Sequence, residues 1–381
     1  MARRPSASRT RNSHSRSVRY AVIGLGHIAQ AAVLPAFQHA RRNSTLTALV
    51  SSEPKKLKQL SRRYRVPRTC GYDGVDELLA SGEIDAVYIA LPNDMHRDYT
   101  VRAARAGLHV LCEKPMAVTA GECEEMIRAT REANVKLMIA YRLHFERANL
   151  EVAKLARSGK LGELRFFNSE FSMQVSDDNI RLNPPDKGGG PLYDIGIYCI
   201  NAARYCLGEE PVEVWATATR SSDRRFRNVD ETVVATLRFQ DERLANFVCS
   251  FGAADRSVYS ITGTKGSVTL DPAYEYAVGL AYQLKVGERA RRKKFAKSDQ
   301  FAPELLYFSD CVLKDRRPEP SGEEGLADVR IIEGLLQSIS IGRPVRVEMR
   351  QREQRPTLRQ EIRSPAVPQE PKLVDVKPAS R

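Results

Sequence analysis

Two sets of residues in this chain have the types and spacing for chemistry. The first is the turn Gly24-Leu25-Gly26, with Ala29 at a third small position. It follows Tyr20-Ala21-Val22-Ile23, a short apolar, β-prone run, and opens a stretch that can continue as a helix. Strand, tight turn and helix start form the context of a dinucleotide fingerprint. Gly24 allows the sharp turn, Gly26 lets a pyrophosphate approach bare backbone, and Ala29 lets the helix sit close to the strand. The helix N-terminus offers unpaired N–H groups and a partial positive charge. The second set is Asp194 and Tyr198. If residues 194–207 are helical, this i, i+4 pair shares one face. A phenol with an ordinary pKa near ~10 is a poor base, and an adjacent cation would favour its phenolate. Each has a plainer reading. Asp194, after Gly188-Gly189-Gly190, can cap a helix, and Tyr198, among Ile195, Ile197 and Ile200, can be packing.

The elements that would carry these groups alternate in the first half. Strands are expected at 20–23, 46–50, 85–91, 109–112 and 136–140, and helices at 54–64, 75–80, 95–106 and 119–134. Thr119 and Glu122 have capping-box spacing. Apolar strands alternating with helices predict a parallel sheet covered on both faces. The second strand ends in Ser51-Ser52, followed by Glu53, Lys55 and Lys56. An acid at that end binds the ribose 2′-OH of NAD, whereas small or basic groups admit a 2′-phosphate. The reading is NADP, with NAD as the alternative; Lys55 and Lys56 otherwise read as a solvated helix face.

After residue 141 the pattern changes. A helix at 148–158 leads to a strand at 164–173, a polar loop at 174–190 and then the helix of Asp194. Arg181, Asn183 and Lys187 lie in that loop, where they can meet hydroxyls. Strands follow at 212–219, 232–239, 244–251, 258–262 and 268–270, with turns at Asp241-Glu242 and Thr264-Lys265. Val233, Ala235, Leu237 and Phe239 alternate onto one face, as do Ala245, Phe247, Cys249 and Phe251. The fold class is therefore α/β: a doubly wound parallel Rossmann sheet, then an α+β domain with a large, mainly antiparallel open sheet. The boundaries read as a disordered basic arm at 1–18, a dinucleotide domain at 19–140, a substrate and oligomerisation domain at 141–349 closed by helices at 303–313 and 323–341, and a disordered Pro-rich tail at 350–381. The basic run at 289–294 reads as a solvated loop.

The formal charge of +13 sits mostly at the ends: residues 1–19 carry +6 and residues 350–381 carry +4, leaving +3 for the body. This argues against nucleic-acid binding as the function. No run approaches the ~18 apolar residues of a membrane span, and Arg3-Arg4 has no apolar stretch after it. The seven cysteines form no C-x-x-C pair, which suits reduced thiols in a cytoplasm and offers no metal site.

PNDMH at 92–96 and CEKPMA at 112–117, taken with GLGHIA, resemble the glucose–fructose oxidoreductase / inositol dehydrogenase (Gfo/Idh/MocA) family. AYRLHF at 140–145, GGGPLYDIGIY at 188–198, RYCLGEEP at 204–211 and GEEGLADVR at 322–330 extend the likeness over roughly residues 18–346. It looks nearest to the glucose–fructose oxidoreductase branch, because Tyr198 stands where many relatives have a histidine. The resemblance implies a cofactor side of Gly24, Gly26, His27, Ile28, Ser51, Ser52, Lys56, Leu91, Pro92, Asn93, His96, Glu113, Lys114, Tyr141 and Arg142. As a lone histidine, His96 reads as structural rather than catalytic. Lys114 is implied beside nicotinamide and sugar, aimed by Pro115, with Arg181, Asp194 and Tyr198 on the substrate side. Lys114 would then be the cation that favours the Tyr198 phenolate. The implied reaction is oxidation of C1 of an aldopyranose to the lactone with NADP, by a cytoplasmic homo-oligomer. The alternatives are sugar-to-sugar disproportionation, a polyol or inositol dehydrogenase, and a non-catalytic sensor. The family's namesake holds NADP with a long arm that residues 1–18 do not resemble.

Overall fold

The computed structural model describes residues 17–351, 355–367 and 371–376, so the arm expected at 1–18 lies almost wholly outside them. Six short runs pair in parallel: β1 (Val18–Ile23), β2 (Ser44–Val50), β3 (Arg68–Cys70), β4 (Ala86–Ile89), β5 (His109–Glu113) and β6 (Leu137–Ala140), in the order 3-2-1-4-5-6. Helices α1 (Leu34–Ala36), α2 (Pro54–Tyr64), α3 (Val75–Ala80), α4 (His96–Arg105) and α5 (Ala120–Glu132) connect them. β4 is buried at every residue, as a strand covered on both faces must be. Pro54 opens α2, and Thr119 and Glu122 close the expected capping box on α5, a device that contributes about 1 kcal/mol. The strand order reverses between β1 and β4, which leaves a crevice at the carboxyl ends of the strands.

The second sheet has nine strands: β7 (Leu164–Gln174), β8 (Pro211–Thr219), β9 (Thr232–Phe239), β10 (Leu244–Ser250), β11 (Gly252–Gly263), β12 (Gly266–Leu270), β13 (Ala281–Val286), β14 (Arg289–Lys294) and β15 (Val345–Arg346). Their order is 14-13-12-11-7-10-9-8-15. Only β7 and β10 pair in parallel. The alternating residues expected to face inward, from Val233 to Phe251, are buried. Helices α6 (Arg147–Arg157), α7 (Ile197–Leu207), α8 (Ala302–Leu313) and α9 (Gly322–Ile341) complete the fold.

Three expectations need correction. The basic run at 289–294 is not a loop but the edge strand β14, paired with β13; its cations suit an edge, where charge discourages further pairing. Helix α8 does not close the second domain. It covers the first sheet, where Ser309 Oγ lies 2.7 Å from the Tyr20 hydroxyl and Asn43 Nδ2 donates to the Leu306 carbonyl at 2.9 Å. The tail is not disordered throughout. Arg355 pairs with the buried Glu210 at 2.7 Å, and Val374 is buried in the core of the first domain. Low hydropathy keeps such a segment from folding alone, but this one borrows a core already built.

Helix α9 joins the two halves. A Cβ at Gly325 would stand 2.7 Å from Met116 Cβ, and one at Gly334 2.8 Å from Val347 Cγ1. Glycine near the start of the helix and again past its middle lets it touch Met116 of the first domain and Val214 of β8 together.

Candidate active site

The crevice opens into a cavity of about 790 Å³ between the two sheets. Gly24 has φ +96, and a Cβ there would lie 2.4 Å from the Ala90 carbonyl oxygen. Only glycine fits. At Gly26 a Cβ would meet nothing within 4 Å, so the backbone lies bare to the cavity. His27 and Ile28 follow on the same wall, with Ser51, Ser52 and Lys56 from the end of β2 and the start of α2. Burial, and then the charge of Arg181, hold the His27 imidazole below its ordinary pKa. Lys55 turns outward to Asp375 at 2.8 Å. Leu91, Pro92 and Asn93 line the wall after β4, and Asn93 Nδ2 donates to the Gly188 carbonyl at 2.7 Å, tying the polar loop to the first domain. Glu113 ends β5, accepts from the Tyr88 hydroxyl at 2.8 Å, and is raised by burial. A bare turn, two hydroxyls and a lysine suit a dinucleotide carrying an extra phosphate.

Lys114, Asp194 and Tyr198 meet in the same cavity. Asp194 sits in a wide, π-type turn, Leu192–Gly196, that runs straight into α7; such turns are frequent at functional sites. Lys114 Nζ donates to the Asp194 carbonyl oxygen at 2.7 Å, lies 3.4 Å from its Oδ1, and stands 4.8 Å from the centre of the Tyr198 ring. Arg181 donates to Asp194 Oδ2 at 2.5 Å. Burial opposes a charge on Asp194, but Arg181 and Lys114 outweigh it and hold the carboxyl below the usual range.

A family model described as "Oxidoreductase family, NAD-binding Rossmann fold" matches residues 18–141, and the GFO/IDH/MocA C-terminal domain matches residues 149–269. The chain is 32% identical to D-xylose 1-dehydrogenase [NADP(+)] of Haloarcula marismortui, over 87% of this chain and 93% of that one. The chain belongs to the GFO/IDH/MocA oxidoreductase family. Among solved structures of the family, it is similar to an aldose-aldose oxidoreductase from Caulobacter crescentus complexed with glycerol. That likeness has 40% identity and a TM-score of 0.83, and covers 87% of this chain and all of that one. A 3-ketoreductase from Actinomadura kijaniata in complex with NADP and TDP-benzene has 27% identity and a TM-score of 0.77, covering 85% and 98%.

Within this GFO/IDH/MocA fold, two residues expected on the cofactor side do not line the cavity. His96 is fully buried, its ring nitrogens 2.9 Å from the carbonyls of Leu91 and Pro115. It ties two cavity-lining turns together from behind. Tyr141 is buried among Asp328, Glu324 and Arg204, and burial first, then Asp328, pushes its phenol up. The chain leaves β6 at Ala140 and turns into the 3₁₀ turn Arg142–His144, so that Arg142 enters the cavity and Tyr141 does not. The sequence also left out cavity residues on the far wall, Phe171, Asp255, Tyr274, Glu275, Tyr276 and Phe301. Tyr274-Glu275-Tyr276, two aromatics flanking an acid in a loop, is the signal that could have found them. Among the described residues no cluster suits a metal ion, and no helix is long and apolar enough to cross a membrane.

Proposed function

We propose that this protein oxidises C1 of an aldopyranose, glucose- or xylose-like, to the lactone with NADP. The observation that carries the reading is Lys114 against Asp194 and Tyr198 in the cavity that the glycine turn opens. NADP supplies the acceptor for the hydride. Gly24, Gly26, Ser51, Ser52 and Lys56 hold its phosphates. Asp194, fixed by Lys114 and Arg181, orients sugar hydroxyls. Tyr198 takes the proton of the C1 hydroxyl as the hydride leaves, a positioned acid–base step of the kind that contributes ~10²–10⁴-fold in rate. The names of the relatives, an NADP-dependent xylose dehydrogenase and an aldose-aldose oxidoreductase, support the substrate class. Seven free cysteines, six of them buried, support a reducing, cytoplasmic setting.

The test follows nicotinamide absorbance across aldoses and polyols. Turnover with an aldose is expected, and binding of NADP with no turnover on any sugar would end the reading. Tyr198→Phe is expected to lose at least ~100-fold in kcat with cofactor binding intact; equal loss of both would make Tyr198 structural. A second reading, in which another aldose re-oxidises the bound cofactor, is supported by the 40% likeness to the aldose-aldose enzyme. Formation of both aldonate and alditol from sugars alone, with no added NADP, would separate the two.

Pairing of copies belongs to the same reading. The outer face of the second sheet carries Phe166, Trp215, Val234 and Leu244, all exposed, on one surface. This open face supports a homo-oligomer.

A further inference from the structure

Arg142 is a buried cation without a bonded anion. It starts the 3₁₀ turn Arg142–His144 after β6 and is 5% exposed. One terminal nitrogen donates to Gln300 Oε1. The other donates to the Tyr274 carbonyl at 2.5 Å and to the Tyr198 hydroxyl oxygen at 3.3 Å. The guanidinium carbon lies 5.1 Å from the Tyr198 ring centre and 5.3 Å from that of Tyr276. None of these acceptors is a carboxylate. Among the described residues, no carboxylate forms an ion pair with it.

The other cations differ. Lys114 and Arg181 share the Asp194 carboxylate, and Lys114 meets the face of the Tyr198 ring rather than its oxygen. Glu113, Glu304 and Glu275 also face Arg142. Burial raises the first two, and Arg142 bonds none of the three carboxylates. A desolvated charge without a partner is costly. Of the groups that Arg142 bonds, a side-chain amide, a backbone carbonyl and the Tyr198 hydroxyl, the hydroxyl is the one that can become an anion, by losing its proton. A guanidinium only donates hydrogen bonds, so the Tyr198 oxygen accepts from Arg142 and its own O–H is directed elsewhere.

We propose that Arg142, not Lys114, is the positioning residue for Tyr198: it fixes the phenol oxygen and gives the phenolate its counter-charge, while Lys114 orients Asp194. The inference rests on the sugar-oxidising reading above. In the step it serves, the C1 hydroxyl proton passes to the phenolate oxygen. The C1 hydrogen leaves with its electron pair for NADP, and the C1–O bond becomes a carbonyl.

The experiment compares Arg142→Gln and Arg142→Lys, alone and with Tyr198→Phe. It reads kcat against pH, NADP affinity by fluorescence, and tyrosinate absorbance as the difference between each protein and its Tyr198→Phe counterpart. Arg142→Gln is expected to lower kcat by about 100-fold and to leave NADP affinity within about threefold. It should move both the rise of kcat and the tyrosinate signal to higher pH. Arg142→Lys should recover about tenfold of that loss. In the Tyr198→Phe protein, removing Arg142 should cost less than about threefold more, as expected of a residue that acts through Tyr198. A full loss in that background, an unmoved pH profile, or weakened NADP binding at unchanged kcat would each overturn the proposal. Should Arg142→Gln fail to fold, Arg142→Met keeps the packing against Tyr276 and gives the same readings. A wild-type protein that oxidises no aldose defeats the sugar reading instead. An active wild type, an inactive Tyr198→Phe and an unaffected Arg142→Gln defeat this proposal alone.

Discussion

Asp194 holds two cations, Lys114 at 3.4 Å and Arg181 at 2.5 Å, with about four-fifths of its side chain out of water. Its carboxyl lies below the ordinary range despite burial. The sign follows from that depression: the stability it contributes is present above the ordinary carboxylate pKa of about 3.9 and is lost as pH falls through its lower folded value. Asp194→Asn is expected to cost about 2 kcal/mol, below the figure for a fully buried pair because all three side chains keep some contact with water. Urea unfolding near pH 7 measures the difference, which should shrink only in strong acid; a difference that vanished near pH 6 would contradict the ion triad. The Asp194–Tyr198 relation was legible, because i, i+4 spacing is a local rule. The Arg142–Tyr198 contact was not, since no spacing rule spans a separation of 56 positions.

At the level of elements, α7 carries the site on its first turn and an ion cluster further along. Arg204, fully buried, pairs with Glu210, Glu324 and Asp328 at 2.6, 2.8 and 2.5 Å. The helix that aims Tyr198 is thereby fixed to α9 and to the segment before β8. The tail is the second device. Gln30 on the wide turn Ala29–Val33 exchanges two hydrogen bonds with the Val374 backbone, at 2.8 and 3.0 Å. Arg63 on α2 donates to the Lys372 carbonyl at 2.7 Å. The strap therefore braces the turn after Gly26 and helix α2, which carries Lys56. Val374→Asp would bury a charge without a partner, and a loss of roughly 2–4 kcal/mol is expected, together with weaker NADP binding. A melting temperature and an NADP affinity equal to those of the parent protein would show that the strap is ornamental.

The whole molecule encloses its cavity between the sheet that carries the glycine turn and the second sheet, which lines the opposite wall, with α9 as the joint. The far face of the second sheet is left open, and Trp215 is 48% and Val234 45% exposed there. Val234→Lys paired with Leu244→Lys, both on that outer face, is expected to convert an oligomer to monomer in sedimentation velocity while the fold survives. An unchanged mass would direct the search for an interface elsewhere. The likeness to the aldose-aldose oxidoreductase extends over all of that chain, so the two-sheet arrangement accounts for the whole of it.

The residues alone determined the two sheet types, the glycine turn, the proline that opens α2, the capping box of α5, and one face shared by Asp194 and Tyr198. All of these are set by contacts a few residues apart, which period and cap chemistry report directly. Tertiary structure decided which domain α8 covers, that the run at 289–294 is an edge strand, that His96 and Tyr141 stay behind the cavity wall, and that Val374 finds a core. It also brought Arg142, Tyr198 and Tyr276 together. Each of these depends on which distant surface becomes available to be buried or paired, and that is fixed only when the whole chain has packed.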